Sequence, residues 1–320
     1  MKDIAVIGAG FSAATLCYFI EKDLDFYEKS RGVGGRCSTR RVDNVGLFDH
    51  GLQYIKSQNK EFKKFLKDYS IWKGNFKIFQ NNQLIDDLDK ERIIHENGNN
   101  SLVKNLFRNK NVIFNKELKS LEKKSDHFNL IFKDDTQENY KTVIISAPFQ
   151  QAYNLTKQFT KDYFSKFNFS MQPNLTLMIA LNKGLKLNLS AISFEDDDVL
   201  GFAANENTKK KNLINKDLEL WTIQSSLKYA IKNIYEYRNN KQNLIDEMLK
   251  SFSIKLKVDI KKDNIEYSDI HGWLYAYNQR VAAPNCYWDK DLRLGICGDW
   301  FSGGNAENAF TNAKQLAKLI

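Results

Sequence analysis

Two glycine segments near opposite ends of the chain have the residue types of a dinucleotide site. Gly8-Ala9-Gly10 follows the apolar run 4–7 and precedes a mainly apolar stretch, 11–20. Glycines between a buried strand and a helix allow a tight turn and let a pyrophosphate approach the helix N-terminus. Gly298-Asp299 lies near the other end of the chain, before a glycine pair and a closing helix. A nicotinamide-binding domain needs no such terminal pair, whereas a two-part flavin site does, so the two segments together predict FAD.

Glu28 and the segment after it extend this site. Glu28 ends the second predicted strand, where an acidic side chain accepts from the ribose hydroxyls of a dinucleotide. Residues 32–35 include three glycines that let the backbone pass close to a ligand, and Arg36 can neutralise a pyrophosphate. A solvated carboxylate and a surface loop are the alternatives. Of Arg40 and Arg41, one is expected near the phosphates or the flavin edge and the other at the surface.

The elements that must position these residues are those of an α/β protein. Periodicity predicts parallel strands at 3–7, 24–28 and 141–146, an antiparallel meander between them, and a second sheet from 175 onwards. We therefore predict an FAD-binding Rossmann-like parallel sheet of the glutathione-reductase/hydroxylase type with a discontinuous second α+β substrate domain. The first domain comprises 1–55, 100–150 and 270–320, and the second comprises 56–99 and 151–269. Helices are expected at 11–22, 61–69, 101–108, 227–237 and 243–256.

Composition argues against several other classes of protein. The net charge of +9 comes from lysines spread along the chain among acidic residues, and the Lys209-Lys210-Lys211 cluster is expected to be solvated. Nucleic-acid binding is therefore not predicted. No apolar run is long enough to span a membrane, and the first strand begins too early for a signal sequence, which makes the cytoplasm the default location. Four cysteines without metal-ligand spacing predict reduced thiols and no metal site. No protein partner is evident.

The segment Phe48-Asp49-His50-Gly51-Leu52-Gln53-Tyr54 is unusual for a loop. It combines a glycine, aromatic residues, an amide and ionisable groups, which suits a turn at the flavin ring. There Gln53 can hydrogen-bond the ring and Tyr54 can wall a substrate cavity. A structural corner is the alternative for each side chain.

Five sequence blocks resemble the renalase branch of FAD-dependent amine-oxidase-like flavoproteins. They are 28–36, 49–54, 146–151, 271–276 and 298–300 with 307–309, in the order found in the family and spanning essentially the whole chain. The glycine and Gly-Asp blocks are shared by a wide FAD superfamily. The Gln-Tyr turn and His271-Gly272-Trp273-Leu274-Tyr275-Ala276 are narrower and carry the assignment to the branch.

Together with the glycine motifs, this resemblance implies particular site residues. Leu118 matches the position that meets adenine, Asp299 the residue that binds the ribityl chain, and 307–310 the helix start at the pyrimidine edge of the flavin. The predicted catalytic residues are Gln53, Tyr54, His271 and Trp273. Leu52 and Gly272 depart from the family pattern, which has a small and a basic residue there. The predicted cofactor-binding residues are Gly8, Gly10, Phe11, Ser12, Ala13, Glu28, Lys29, Gly35, Arg36, Gly51, Gln53, Tyr54, Leu118, Gly298, Asp299, Glu307, Asn308 and Ala309.

The resemblance also implies a reaction. Renalases oxidise the 2- and 6-dihydro isomers of nicotinamide dinucleotides to NAD(P)+ by hydride transfer to flavin, and O2 is reduced to H2O2. Such a donor needs no prior deprotonation, which agrees with a sequence of four histidines and no evident triad. His271 is expected to hold the substrate or to be structural. A flavin amine oxidase or desaturase-like enzyme, and a flavin-binding protein without turnover, are the alternatives.

Overall fold

A computed structural model describes residues 2–89, 91–209, 214–279 and 281–320 of the chain. Its strands lie in the apolar and alternating segments of the sequence. They are β1 (Lys2–Ile7), β2 (Leu24–Tyr27), β3 (Arg40–Val42), β4 (Gly46–Phe48), β5 (Ser70–Ile71), β6 (Phe76–Gln80), β7 (Gln83–Asp86), β8 (Ile93–Ile94), β9 (Asn111–Ile113), β10 (Leu118–Lys123), β11 (Phe128–Phe132), β12 (Gln137–Ile145), β13 (Met171–Leu181), β14 (Ala191–Phe194), β15 (Leu200–Asn205), β16 (Glu219–Ser225), β17 (Ile265–Asn278), β18 (Tyr287–Asp289) and β19 (Leu294–Ile296).

The helices of the described residues begin at recognisable capping residues in several cases. Asn59, Ser226 and Asn305 each accept a backbone N–H of the first turn through the side chain, as is typical of N-caps. The α-helices are α1 (Phe11–Phe19), α2 (Lys60–Phe65), α3 (Ser101–Phe107), α4 (Phe149–Phe164), α5 (Leu227–Asn233), α6 (Lys241–Leu256) and α7 (Ala306–Ala317). Short 3-10 turns span Gly35–Cys37, Glu206–Thr208, Lys262–Asn264 and Asp299–Phe301.

The 8-stranded first sheet has β1 at its centre, parallel to β2 on one side and to β12 on the other. Strand β12 is long enough for two roles. Its first half pairs antiparallel with β11, and its second half pairs parallel with β19. Strands β10, β11 and β12 therefore form the predicted antiparallel meander. The predicted buried parallel strands are confirmed, since β1 pairs parallel with β2 and β12, and Val6 and Ile144 are fully buried in a core with α1, α3 and α7.

The 7-stranded second sheet has the order β17-β13-β16-β15-β14-β6-β7. One face packs on α6 through residues such as Leu177 and Phe252. On the other face, Met178 and Ala180 pack against Phe48 of β4. This second face places β13, β16 and β17 over the 48–54 turn.

Some elements differ from the prediction. Helix α1 ends at Phe19 instead of residue 22, because Ile20 is extended, and α5 ends at Asn233 instead of 237. Helix α4 was not predicted, although its buried residues recur every four positions. Residues from 270 were assigned to the first domain, yet 270–278 lie in β17, which pairs with β13 of the second sheet.

Candidate cofactor and active site

The glycine turn between β1 and α1 is shaped by its contacts. Gly8 has φ +104°, and a Cβ there would lie 2.6 Å from the backbone oxygen of Ser146 on the strand side, so the turn requires glycine. Gly10 is the N-cap of α1 and offers no side-chain cap. A Cβ at Gly10 would meet no atom within 4 Å. The space that a Gly10 side chain would take is therefore open at the start of α1, which fits a pyrophosphate that approaches the helix N-terminus.

Side chains of the first turn of α1 fix the helix in the core. Phe11 packs edge-on against Phe62, with ring centroids 6.1 Å apart, and Ala13 is fully buried. Ser12 is also buried. These residues would meet a cofactor through their backbone.

Glu28 is buried, and its carboxylate holds the glycine turn between β1 and α1 by hydrogen bonds. Its two oxygens accept the backbone N–H groups of Ala9 and Ser30, each at 2.8 Å. A carboxylate oxygen can accept a second hydrogen bond, so the arrangement is compatible with ribose hydroxyls. Its hydrogen bond to the glycine turn is a second role, which was not predicted; binding of the ribose hydroxyls stays a prediction.

Three further predicted cofactor residues lie around this end of the sheet. Lys29 is exposed, and its ammonium donates to Gln151 Oε1 at 3.2 Å. Leu118 is buried at the start of β10, in the core formed by the meander. Gly35 begins the short turn that carries Arg36.

Arg36 joins the two ends of the chain. Its guanidinium donates to both Asp299 oxygens, at 2.8 and 2.5 Å, and to the Ala276 carbonyl at 3.3 Å. Burial alone would lower the pKa of Arg36, but the Asp299 carboxylate outweighs it and raises this pKa. Arg36 was predicted on a pyrophosphate and Asp299 on a ribityl chain. The structure shows them as partners of each other, with guanidinium N–H groups left for a phosphate.

The start of α7 follows Gly298 and Asp299. Glu307 Oε2 accepts from Ser57 Oγ at 2.8 Å and from the backbone N–H groups of 58 and 59 at 2.9 and 3.0 Å. Asn308 donates to the Ser302 carbonyl at 3.1 Å, and Ala309 is buried in the core. The side chains of 307–309 therefore fix the start of α7 to the loop at 57–59, to the Ser302 carbonyl and to the core. A flavin edge at this place would meet backbone N–H groups of the first turn.

The predicted flavin-side turn is held from three directions. Leu52 N–H donates to the Arg36 carbonyl at 2.9 Å. From the second sheet, Gln224 donates to the Gly51 carbonyl and Trp273 Nε1 donates to the His50 carbonyl, each at 2.9 Å. The turn is thus fixed between the glycine–arginine segment, β16 and β17.

Gln53 is buried within a charged network. Its Oε1 accepts from Lys209 Nζ at 2.9 Å, and its Nε2 donates to the Asp49 carbonyl. Lys209 Nζ also lies 3.2 Å from Glu206 and 3.9 Å from Asp49. In this arrangement the Gln53 amide holds the turn. The expectation that Lys209 is solvated is wrong, since its side chain is 0% exposed; Lys210 and Lys211 lie outside the described residues.

Two histidines and a tryptophan pack together beside the turn. His271 lies 5.0 Å from His50 and 4.4 Å from Trp273 between ring centroids. Burial, with smaller contributions from neighbouring positive charge, lowers the pKa of His50 to about 3 and that of His271 to about 4. Both are neutral at pH 7. His50 was not predicted as a site residue, although it lies inside the 49–54 block.

A cavity of about 400 Å³ lies on the second sheet, beside β14, β15 and β16. Its lining includes Phe202, Gln224 and Tyr277, and Gln224 also binds the Gly51 carbonyl. Tyr54 contacts this wall through Phe202, with ring centroids 5.9 Å apart. Sequence reasoning missed Gln224 as a site residue, because only its tertiary hydrogen bond to Gly51 shows that it faces the turn.

Over the described ranges, no three His, Cys, Asp or Glu side chains come together as a metal site. No helix of the same ranges is long and apolar enough to cross a membrane. The four cysteines are free thiols, and burial raises the pKa of Cys37 to about 12.

Comparisons with known proteins support the fold. Residues 6–69 match the family model described as an NAD(P)-binding Rossmann-like domain. A presumed protoporphyrinogen oxidase from Exiguobacterium sp. 255-15 is similar with a TM-score of 0.78 and 9% identity, over 99% of this chain and 98% of that chain. A reduced UDP-galactopyranose mutase is similar with a TM-score of 0.78 and 11% identity, over 100% of this chain and 94% of that chain. A putrescine oxidase variant redesigned in its cofactor binding is similar with a TM-score of 0.71 and 10% identity, over 99% of this chain and 98% of that chain. The chain therefore has the Rossmann-like mixed α/β fold with a parallel sheet that these proteins share, and the predicted fold class is confirmed.

Proposed function

We propose that this protein is an FAD-dependent oxidoreductase of the renalase type, which oxidises the 2- and 6-dihydro isomers of NAD(P) and reduces O2. The observation that carries the proposal is the contact between Arg36 and Asp299. It joins the glycine–arginine segment, whose Gly34 N–H donates to Ala9 of the glycine turn, to the terminal Gly-Asp segment, which is far away in sequence. Two of the similar structures are named as oxidases.

The residues around the turn fit FAD. The open space at Gly10 fits the pyrophosphate, and Glu28 and Asp299 offer acceptors for the ribose and the ribityl hydroxyls. When bound, FAD would supply the hydride acceptor. It would then pass the electrons to O2, which is reduced to H2O2.

The chain's own residues would bind and orient the donor. Gln224 uses its Nε2 on Gly51, so its Oε1 can accept from a substrate carboxamide in the adjoining cavity. His50 and His271 are neutral and weakly basic. Such groups suit a donor that needs no proton removed before it reacts, because positioning then supplies most of the rate enhancement.

FAD should be bound without a covalent link. The thiol nearest the glycine–arginine segment, Cys37, is buried and held as a thiol by its raised pKa, which makes it a poor nucleophile. Acid precipitation of the yellow protein should release intact FAD into the supernatant. Colour that stays in the pellet, or FMN in the mass spectrum, would contradict this.

The substrate is tested by anaerobic mixing of the FAD-loaded protein with each donor. We expect 2- or 6-dihydro-NAD to bleach the flavin rapidly, and ordinary 4-dihydro NADH and simple amines to do so slowly. Hydride transfer needs the donor carbon about 3–3.5 Å from the acceptor, and a site shaped for C2 or C6 holds C4 away. The rate should be flat between about pH 6 and 9, because both histidines titrate below that range.

Amine oxidation is the second candidate, favoured by the similarity to a putrescine oxidase. It would appear in the same experiment as rapid bleaching by an amine, with a rate that rises steeply with pH. A protein that binds FAD but is reduced by no donor would be a flavin-binding protein without turnover.

A further inference from the structure

Basic side chains converge on one carboxylate at the edge of the second sheet. Asp269 on the edge strand β17 lies 3.3 Å from Arg40 Nη1 and 2.8 Å from Lys241 Nζ. Arg40 comes from β3 and Lys241 from the first residue of α6. Two positive charges therefore share a single negative one.

A third cation, Arg238, lies near the same edge of β17, where its charge acts on His271 as those of Arg40 and Lys241 do. A Cβ at Gly272 would lie 2.5 Å from the Tyr237 ring, so glycine allows this tyrosine to lie against β17. Arg238 Nε donates to the Tyr237 hydroxyl at 3.2 Å. Arg238 thus hydrogen-bonds a tyrosine that lies against β17 and adds a third positive charge in the surroundings of His271. We call Arg40, Arg238 and Lys241 the basic rim.

The basic rim is accessible and leads to the 48–54 turn. The side chains of Arg40 and Lys241 are 31% and 45% exposed. Next to them, His271 packs on Trp273, which donates to the His50 carbonyl in the turn. An elongated ligand could therefore have one end at the turn and its charged part at the rim.

We propose that the basic rim binds the pyrophosphate of the dinucleotide substrate. This rests on the proposed function, which puts the nicotinamide end at the turn. Two guanidinium groups and an ammonium match phosphate oxygens in charge and hydrogen bonding. A pyrophosphate would also balance the excess positive charge. The consequence is a preference for a dihydronicotinamide dinucleotide over the riboside, which carries no phosphate.

The test uses FAD-loaded protein, in which the cofactor's own pyrophosphate site is filled. The variants are Arg238→Gln, Lys241→Gln and their combination. Lys250→Gln is the control, since this exposed lysine lies on the same helix, α6. Calorimetry measures binding of inorganic pyrophosphate, and initial rates give kcat/KM for dihydro-NAD and for dihydronicotinamide riboside.

Each rim variant should bind pyrophosphate about five- to tenfold more weakly than wild type. The ratio of kcat/KM for the dinucleotide to that for the riboside should fall by a similar factor, and Lys250→Gln should match wild type. Wild-type protein that does not bind pyrophosphate, or rim variants that bind it as wild type does, would overturn the basic rim as an anion site whatever the protein oxidises. Weakened pyrophosphate binding in a protein that oxidises neither donor would instead overturn the proposed function, and with it the substrate assigned to the rim.

Discussion

Replacing Arg36 by alanine should lower the affinity for FAD about 30- to 150-fold, a loss of about 2–3 kcal/mol. The substitution removes a charge-assisted partner of the pyrophosphate and leaves Asp299, whose side chain is only 8% exposed, without its bidentate cation. Arg36→Lys should recover only part of the loss. It restores the positive charge, but an ammonium cannot bind two carboxylate oxygens as the planar guanidinium does. Titration of apoprotein with FAD, followed by fluorescence, measures the effect.

Two controls separate the pair from general damage to the loop. Arg31→Ala removes an exposed arginine from the same segment and should leave the affinity near wild type. If Arg36 and Asp299 act through one contact, the double variant with Asp299→Ala should lose less than the sum of the single losses. Unchanged FAD occupancy in Arg36→Ala would refute this placement of the guanidinium.

Replacing Lys209 by methionine should lower the free energy of unfolding by about 3–5 kcal/mol. The side chains of Lys209 and Asp49 are 0% exposed, and that of Glu206 is 1% exposed. Removing the ammonium leaves two buried carboxylates close together without this cation and takes a donor from Gln53. Chemical denaturation followed by circular dichroism measures the change.

The charge of the network can be separated from its packing. Adding Glu206→Gln to Lys209→Met removes one carboxylate together with the cation, and we expect it to restore part of the lost stability. Lys228→Met is the matched control, because Lys228 and its partner Asp198 are both largely exposed and such pairs contribute about 0–1 kcal/mol. A similar small effect of Lys209→Met would show that Lys209 is not buried in this network.

Short-range patterns in the sequence predicted the frame of the site. The apolar run 4–7, the glycines directly after it and the acidic residue at 28 define a strand, a turn and the end of the next strand, all within the first 28 residues. Local sterics and burial set such features. The meander and most strands of the second sheet were predicted for the same reason, since alternation along a strand reflects which face is buried.

Only the tertiary structure decided which side chains meet. The partner of Arg36 is Asp299, and the loop before α2 is held by Glu307 from α7. Lys209 looked like a solvated loop lysine, yet it is buried because the 48–54 turn, the 3-10 turn of Glu206 and the Trp72 ring surround it. These contacts join residues far apart in sequence. Their free energy depends on how the two sheets face each other, and no local propensity along the chain carries that information.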